Sequence, residues 1–504
     1  PSLLVVVGVA AGLVPGVPAV EVTPDLVSLV VLPPLLFAAG EELPWHELRA
    51  VWRPVTVLSI GLVVVSAAAV GFVAVALTGL PFGLAFVLGA ILASTDPVAV
   101  TALGRRLSLP PRIQALVQAE SLFNDATSLL LFRIALTVAL AAGGSAAITP
   151  AGMAGTFALL AGGGVAVGGA VALGAFLIRR RTMDPVLETV VCLVTPYLAY
   201  VVAESIEASG VTAVVVASVI LGTQAGRLTT ARIRLQLNAV FQTVVFVLES
   251  VVFGLIGLQL PALVRRLVDS GTYAASWPVA ALAITATLLV VRVLWVYPLA
   301  ALSRPGPAAD RPDATTSRLA WQVPAVVSWA GARGVVPLAA ALSVPFALAD
   351  GSPLAQRDLV LALTISVIVI TLIVQGFTLA PLVNRTGIAR TRYDISQEHS
   401  AARLEITKAA LAYLDDLEHA ESAPTFAIDE LRRGWKVRLD RIQAHHSDDP
   451  ADSAASAAYR LLRRDLLAVE SAELDRLHQE GTVSDSVRRG IQHLLDLEQA
   501  SLDP

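Results

Sequence analysis

The chain is poor in charge and nearly without cysteine. Only 15% of its 504 residues are Asp, Glu, Lys or Arg, while 55% are hydrophobic. A soluble domain carries roughly 25% charged residues. The mean hydropathy of +0.71 points the same way, and the chain reads as a polytopic membrane protein. Cys192 is the one cysteine and lies inside an apolar run, which excludes a disulfide framework. Of the seven histidines only His46 precedes residue 390, so no metal-ligand cluster is present in the apolar part. His46-Glu47 is not followed by a second His at the zinc-protease spacing, and no Gly-x-Ser-x-Gly occurs. Hydrolase chemistry therefore has no support, and the chain is not read as an enzyme. The first residues lack a charged region and a small-residue cleavage site, so no signal peptide is visible. The net charge of −4 is small and says little about partners; no nucleic-acid partner is expected.

What is present is a series of 12 apolar segments, at about 2–14, 26–40, 55–77, 82–104, 112–140, 151–178, 186–206, 211–225, 236–260, 277–302, 319–348 and 358–384. The lipid bilayer is thus the first partner. Several segments are shorter than the ~20 residues of a straight spanning helix. Arginines cluster in alternate loops, at Arg105/Arg106/Arg112, Arg179/Arg180/Arg181, Arg227/Arg232/Arg234, Arg304/Arg311/Arg318 and Arg385/Arg390. The loops between them, 15–25, 78–81, 141–150 and 207–210, carry no basic residue. The basic side is expected to be cytoplasmic. Arg265 and Arg266 fall on the other side and stand as an exception.

Residues 391–504 differ in kind from residues 1–390. They are charged, with amphipathic runs at Ala401–Glu418, Ile428–Gln443, Ala454–Gln479 and Ser484–Ala500. Ser484-Asp485 is a plausible cap for the last run. The expected organisation is a transmembrane domain over 1–390 and a cytoplasmic, helical regulatory tail over 391–504.

The membrane part contains charges that need a reason. A charge near the bilayer centre costs about 2.5–3.5 kcal/mol on insertion scales, so such residues usually face a cavity or a partner. Glu120, Ser121, Asn124 and Asp125 fall in one apolar run, and their i,i+4 spacing gives the helix one polar flank. Segment 82–104 is interrupted by Ser94-Thr95-Asp96-Pro97, where proline removes a helical donor. Asp96 beside the break can compensate the N-terminus of the following half-helix. Segment 319–348 is interrupted by Gly331-Ala332-Arg333-Gly334-Val335-Val336-Pro337. Irregular backbone at this depth is tolerated only where it is buried or lines a cavity. Two such breaks in matching halves of the chain predict a transporter with inverted repeats and a substrate site where the half-helices meet. If 319–348 is the fifth helix of a six-helix repeat, 82–104 should be the fifth of another, yet only three segments precede it. This predicts a further N-terminal helix, about 20–35 residues with its connection, ahead of Pro1.

Other buried charges are assigned by elimination. Arg292 needs an anion, and Glu120 is the natural one, leaving Asp125 to titrate. For Glu249, in mid-segment, Arg333 is the candidate partner. Arg133, two turns beyond Asp125, is expected to snorkel. Glu188 and Glu204 sit near segment ends, where a terminal or interfacial role is expected.

Several of these motifs together resemble a known family. They are Glu120-Ser-Leu-Phe-Asn124-Asp125-Ala, Thr95-Asp96-Pro97, Leu32-Pro-Pro-Leu-Leu-Phe37 and Gly331-Ala-Arg333-Gly334. Ala203-Glu204 with Ser209-Gly210-Val211, and Glu249-Ser-Val-Val-Phe with Gly257, add to them. Over about residues 2–390 the chain resembles the monovalent cation:proton antiporter-1 family, the sodium/proton exchangers, and its tail looks like those of the bacterial branch. The resemblance implies an all-α fold of 12–14 helices, with two broken helices crossing at mid-membrane, and usually a homodimer. It implies that Asp125 binds cation and proton in turn, that Ser121 and the main chain near Thr95 help ligate the cation, and that Glu120 and Arg292 are the family's buried ion pair. Asn124 stands where electrogenic relatives carry a second aspartate. One departure is visible: an acidic residue often follows the Leu-Pro-Pro-Leu-Leu-Phe run, and here those positions are Ala38 and Ala39.

The expected function is exchange of a monovalent cation, sodium by resemblance, for a proton across the plasma membrane. With one titrating carboxylate the exchange is electroneutral. No resident cofactor is implied; sodium and protons are cargo. A potassium or lithium exchanger of the same fold is the alternative. A channel would need a continuous polar lining or a charged ring, and the sequence shows isolated charges.

Overall fold

A computed structural model describes residues 2–14, 27–43, 45–96, 109–141, 150–182, 184–228, 231–270, 276–302, 321–346, 354, 356–388, 392–419, 424–444, 450–480 and 485–502. The regular elements among them are all helical, and the chain divides into two compact units, Pro1–Ala389 and Arg390–Pro504.

In the first unit, α1 is Ser2–Gly12, and α2 is Leu32–Glu41, entered through a π-helical turn at Val27–Val31. α3 (Trp45–Thr56) continues through a second π-helical turn, Val57–Leu62, into α4 (Val63–Thr78). Pro54 lacks the amide that would close the helix behind it, and the backbone widens in the next turn. Then come α5 (Phe82–Ala93), α6 (Pro111–Ala141), α7 (Pro150–Arg181), α8 (Pro185–Ser205) and α9 (Gly210–Leu228). They are followed by α10 (Ala231–Ser270), α11 (Trp277–Leu302), α12 (Gln322–Trp329), α13 (Val335–Leu342) and α14 (Arg357–Thr386).

By length and composition, seven helices among the described residues can cross a membrane, and the apolar stretches Val27–Glu41, Phe82–Ala93 and Gly210–Gln224 are shorter. Their outward faces are apolar: Leu159, Leu294 and Phe377 are each more than two-thirds exposed. Lipid covers such faces, so helix association cannot rely on hiding them and uses small residues instead. At Gly89 an added Cβ would lie 2.1 Å from the carbonyl oxygen of Ala67, so α5 meets α4 at backbone distance.

Helix ends are fixed by local chemistry. Asp184 caps α8, accepting from the amides of Val186 at 2.7 Å and Leu187 at 3.2 Å, with Pro185 in the first turn. α10 extends ten residues past the apolar run read from sequence, and this places Arg265 at the end of α1. Its Nε donates to Pro261 O at 3.2 Å and its Nη2 to Gly12 O at 3.4 Å. A cation at a helix C-terminus is favourable, which gives Arg265 a local reason for its position.

The second unit has four helices, α15 (Arg392–His419), α16 (Thr425–Ala444), α17 (Pro450–Gln479) and α18 (Asp485–Leu502). α15 packs on α16, where Arg432 bonds Asp415 at 2.8 Å and Glu418 at 2.5 Å. α17 packs on α18, where Arg463 pairs with Glu498. The cap expected at Ser484 lies outside the described residues.

Candidate functional site

The site lies where two interrupted helices meet. α5 stops at Ala93, and Ser94–Asp96 continue as non-helical backbone. Pro97 and the half-helix expected after it lie outside the described residues. The second interruption is complete: α12 ends at Trp329, residues 330–334 are irregular, and α13 starts at Val335. The two breaks bond directly, with Asp96 N–H donating to Ala332 O at 2.7 Å.

Charges close this crossing reciprocally. Arg333 precedes α13, yet its Nη1 donates to Ala93 O at 3.0 Å and Ser94 O at 2.5 Å, at the C-terminal end of α5. Asp96 follows α5, yet its carboxylate lies against Gly334, which starts α13. A Cβ at Gly334 would sit 1.4 Å from Asp96 Oδ2, so only glycine fits there. A cation at a helix C-terminus and an anion at a helix N-terminus are the favourable placements. This corrects one expectation: Arg333 is engaged by the α5 carbonyls rather than by Glu249. Asp96 lies at the N-terminus of the other broken helix, and the half-helix it was expected to serve lies outside the described residues.

α6 supplies the polar flank beside the crossing. Asn124 holds Thr95 at both ends: Thr95 N–H donates to Asn124 Oδ1 at 3.2 Å, and Asn124 Nδ2 donates to Thr95 Oγ1 at 2.6 Å. Ser121 Oγ donates to Thr95 O at 2.5 Å. Asp125 Oδ1 accepts from Ser94 Oγ at 2.5 Å. Glu120 points away, to Arg292, whose Nη1 and Nη2 bind its two oxygens at 2.6 and 2.8 Å. Arg292 also donates from Nε and Nη2 to Val327 O at 3.2 and 3.1 Å. Gly331 leaves room for it, since a Cβ there would lie 2.8 Å from Arg292 Cδ.

A cavity of about 880 Å³ reaches this cluster. Ser94, Thr95, Asp96, Ser121 and Asp125 line it at one end, and Glu41, Glu42, Arg179 and Arg234 line it as well. Glu249, Ala38 and Ala39 are on its wall. Oxygen donors of hydroxyl, carboxylate and carbonyl type suit a hard cation. Among the described residues no group of three or more His, Cys, Asp or Glu forms a multivalent metal site.

The transmembrane sodium/hydrogen exchanger family model matches residues 1–385. The chain belongs to the sodium/hydrogen exchanger family. Members of that family are transporters, not enzymes, and this chain is a multi-pass membrane protein of that kind. A relative named as a Na(+)/H(+) exchanger in Mycobacterium tuberculosis is 34% identical, covering 100% of this chain and 92% of its own length. The Na(+)/H(+) antiporter ApNhaP of Aphanothece halophytica is 29% identical over 98% of this chain and 90% of its own. A sodium, potassium, lithium and rubidium/H(+) antiporter of Bacillus pumilus is 30% identical over 95% of this chain and 71% of its own. In fold, the chain is similar to the sodium proton antiporter MjNhaP1 of Methanocaldococcus jannaschii. The TM-score is 0.62 at 18% identity, covering 77% of this chain and 92% of that one.

Within this exchanger fold, three side chains make contacts that their sequence reading did not give. Arg133 forms an ion pair with Glu204. Glu188 is fully buried and bonds Arg179, whose Nε donates to Glu188 Oε1 at 3.1 Å. Arg179, counted with the loop arginines, is itself buried and lies 3.9 Å from Glu41. Ser94, which adjoins Thr95 in the break, reaches Asp125 as well; a hydroxyl on unwound backbone beside a polar helix flank is the sequence signal for it.

Proposed function

We propose that this exchanger carries a monovalent cation, sodium first, against a proton across the plasma membrane, one for one, and so serves pH and sodium homeostasis. The observation that carries the reading is the Asp125 carboxylate on the cavity wall, surrounded by oxygens of Ser94, Ser121 and Thr95. An ionised carboxylate binds the cation, and a protonated one does not, so the two ions exclude each other. Asn124 cannot titrate, so one carboxylate sets a one-for-one exchange. No resident cofactor takes part.

In this reading the two broken segments are corresponding elements of inverted repeats, and the core that carries them moves against the remaining helices. The basic loops and the tail face the cytoplasm, and two copies pair in the membrane. Potassium or lithium exchange is the second reading. It is favoured by Ala38 and Ala39, which give the cavity wall no carboxylate at those positions.

The test is dequenching of a pH-sensitive dye in everted vesicles when sodium, lithium or potassium is added. The wild type is expected to exchange and Asp125→Asn to lose exchange while still inserting. Full exchange by Asp125→Asn would sink the assignment.

A further inference from the structure

The cavity stops at Asp125 along α6. Its α6 lining residues are Gln118, Ser121, Leu122 and Asp125. Two turns further on, about 12 Å along the helix, Arg133 ties α6 to the α8–α9 connection. Its Nη2 pairs with Glu204 Oε2, and its Nη1 donates to Ala208 O at 3.5 Å. Glu204 is fixed in turn, since its Oε1 accepts from Gly210 N–H at 3.1 Å. The connection is a stiff anchor. Ser209 N–H donates to Leu160 O on α7 at 3.1 Å. At Gly164 an added Cβ would lie 2.7 Å from Ser209 O, so α7 packs against the connection without a gap. The loop here, 207–210, carries no basic residue, whereas the cavity runs toward Arg179 and Arg234 at the basic loops.

The two features thus lie on opposite sides of the Asp125 carboxylate. One side is a cavity; on the other, among the described residues, the helix bearing Asp125 is tied to the α8–α9 connection by the Arg133–Glu204 ion pair and a hydrogen bond to Ala208 O. We infer that Arg133–Glu204 is the latch of the outer gate: it holds the non-cytoplasmic side shut while the cavity serves the basic-loop side, and it parts in each transport cycle. The inference rests on the alternating-access reading above, and it names the contact that must open. A partly exposed pair suits this use. The side chains are 39% and 28% exposed, so separating them costs far less than stranding a buried charge.

The experiment uses the full chain in proteoliposomes with Cys192→Ser, so that the only thiols are introduced ones. Arg133→Cys and Glu204→Cys are combined and bridged with an ethane-linked bis-methanethiosulfonate, whose spacer replaces the reach of the two lost side chains. The reduced double variant is expected to exchange. The bridged one is expected to lose sodium-driven proton flux, and dithiothreitol to restore it. Each single variant, treated alike, should keep its flux. A fully bridged protein that exchanges at the reduced rate would overturn the inference, because the two residues would then never part. If the reduced double variant is inactive, the swap Arg133→Glu/Glu204→Arg decides. Flux regained over either single reversal supports the pair, and flux no better than theirs rejects it. Failure of the wild type to exchange any monovalent cation would instead reject the antiport reading.

Discussion

Glu120 and Asp125 are five residues apart on one helix and have opposite duties. Glu120 is spent on Arg292, which binds it with two nitrogens and uses the rest of its fork on Val327 O. Removing one partner of a buried pair strands the other. Glu120→Gln is therefore expected to lower stability by about 3–5 kcal/mol, read as a fall in thermal unfolding temperature of the detergent-solubilised protein. An unchanged unfolding temperature would remove the pair from the scaffold. Among the described residues Asp125 accepts from a serine hydroxyl, and it faces the cavity; in the proposed reading it exchanges its counterion there.

At the scale of elements, the crossing of α5 and α13 is held by dipoles and charges rather than by apolar burial alone. Arg333 stabilises the end of α5 through two charge-assisted hydrogen bonds to the carbonyls of Ala93 and Ser94. Arg333→Gln is expected to lose about 1.5–3 kcal/mol for each such bond and to slow exchange. Differential scanning fluorimetry and vesicle flux check the two effects separately, and a variant with wild-type stability and flux would contradict the placement. This element also marks what the sequence can tell. The breaks were legible, because Pro, Gly and an ionisable residue inside an apolar run leave few other options. The partner of Glu120 was legible too, because Arg292 was a mid-segment cation in need of an anion. The partners of Arg333, Arg133 and Arg179 were not. An arginine reaches several ångströms, and which carbonyl or carboxylate it meets depends on how far apart the helices cross. Spacing along one helix does not carry that distance. The extra turns of α10 escaped for a related reason: the apolar run closes at Pro261, ahead of Arg265 and Arg266, while the helix continues through all three.

At the scale of the whole molecule, the proposed reading takes the cavity at Asp125 and the Arg133–Glu204 tie beyond it as an exchanger with access from one side. The central claim is that cation and proton contend for the same carboxylate. Its most direct test is proton release on cation binding, followed with an indicator dye in weakly buffered, purified protein as sodium is added. The wild type is expected to release a proton for each sodium bound, and Asp125→Asn to release none. Equal release from Asp125→Asn, or sodium binding to the wild type without release, would contradict it.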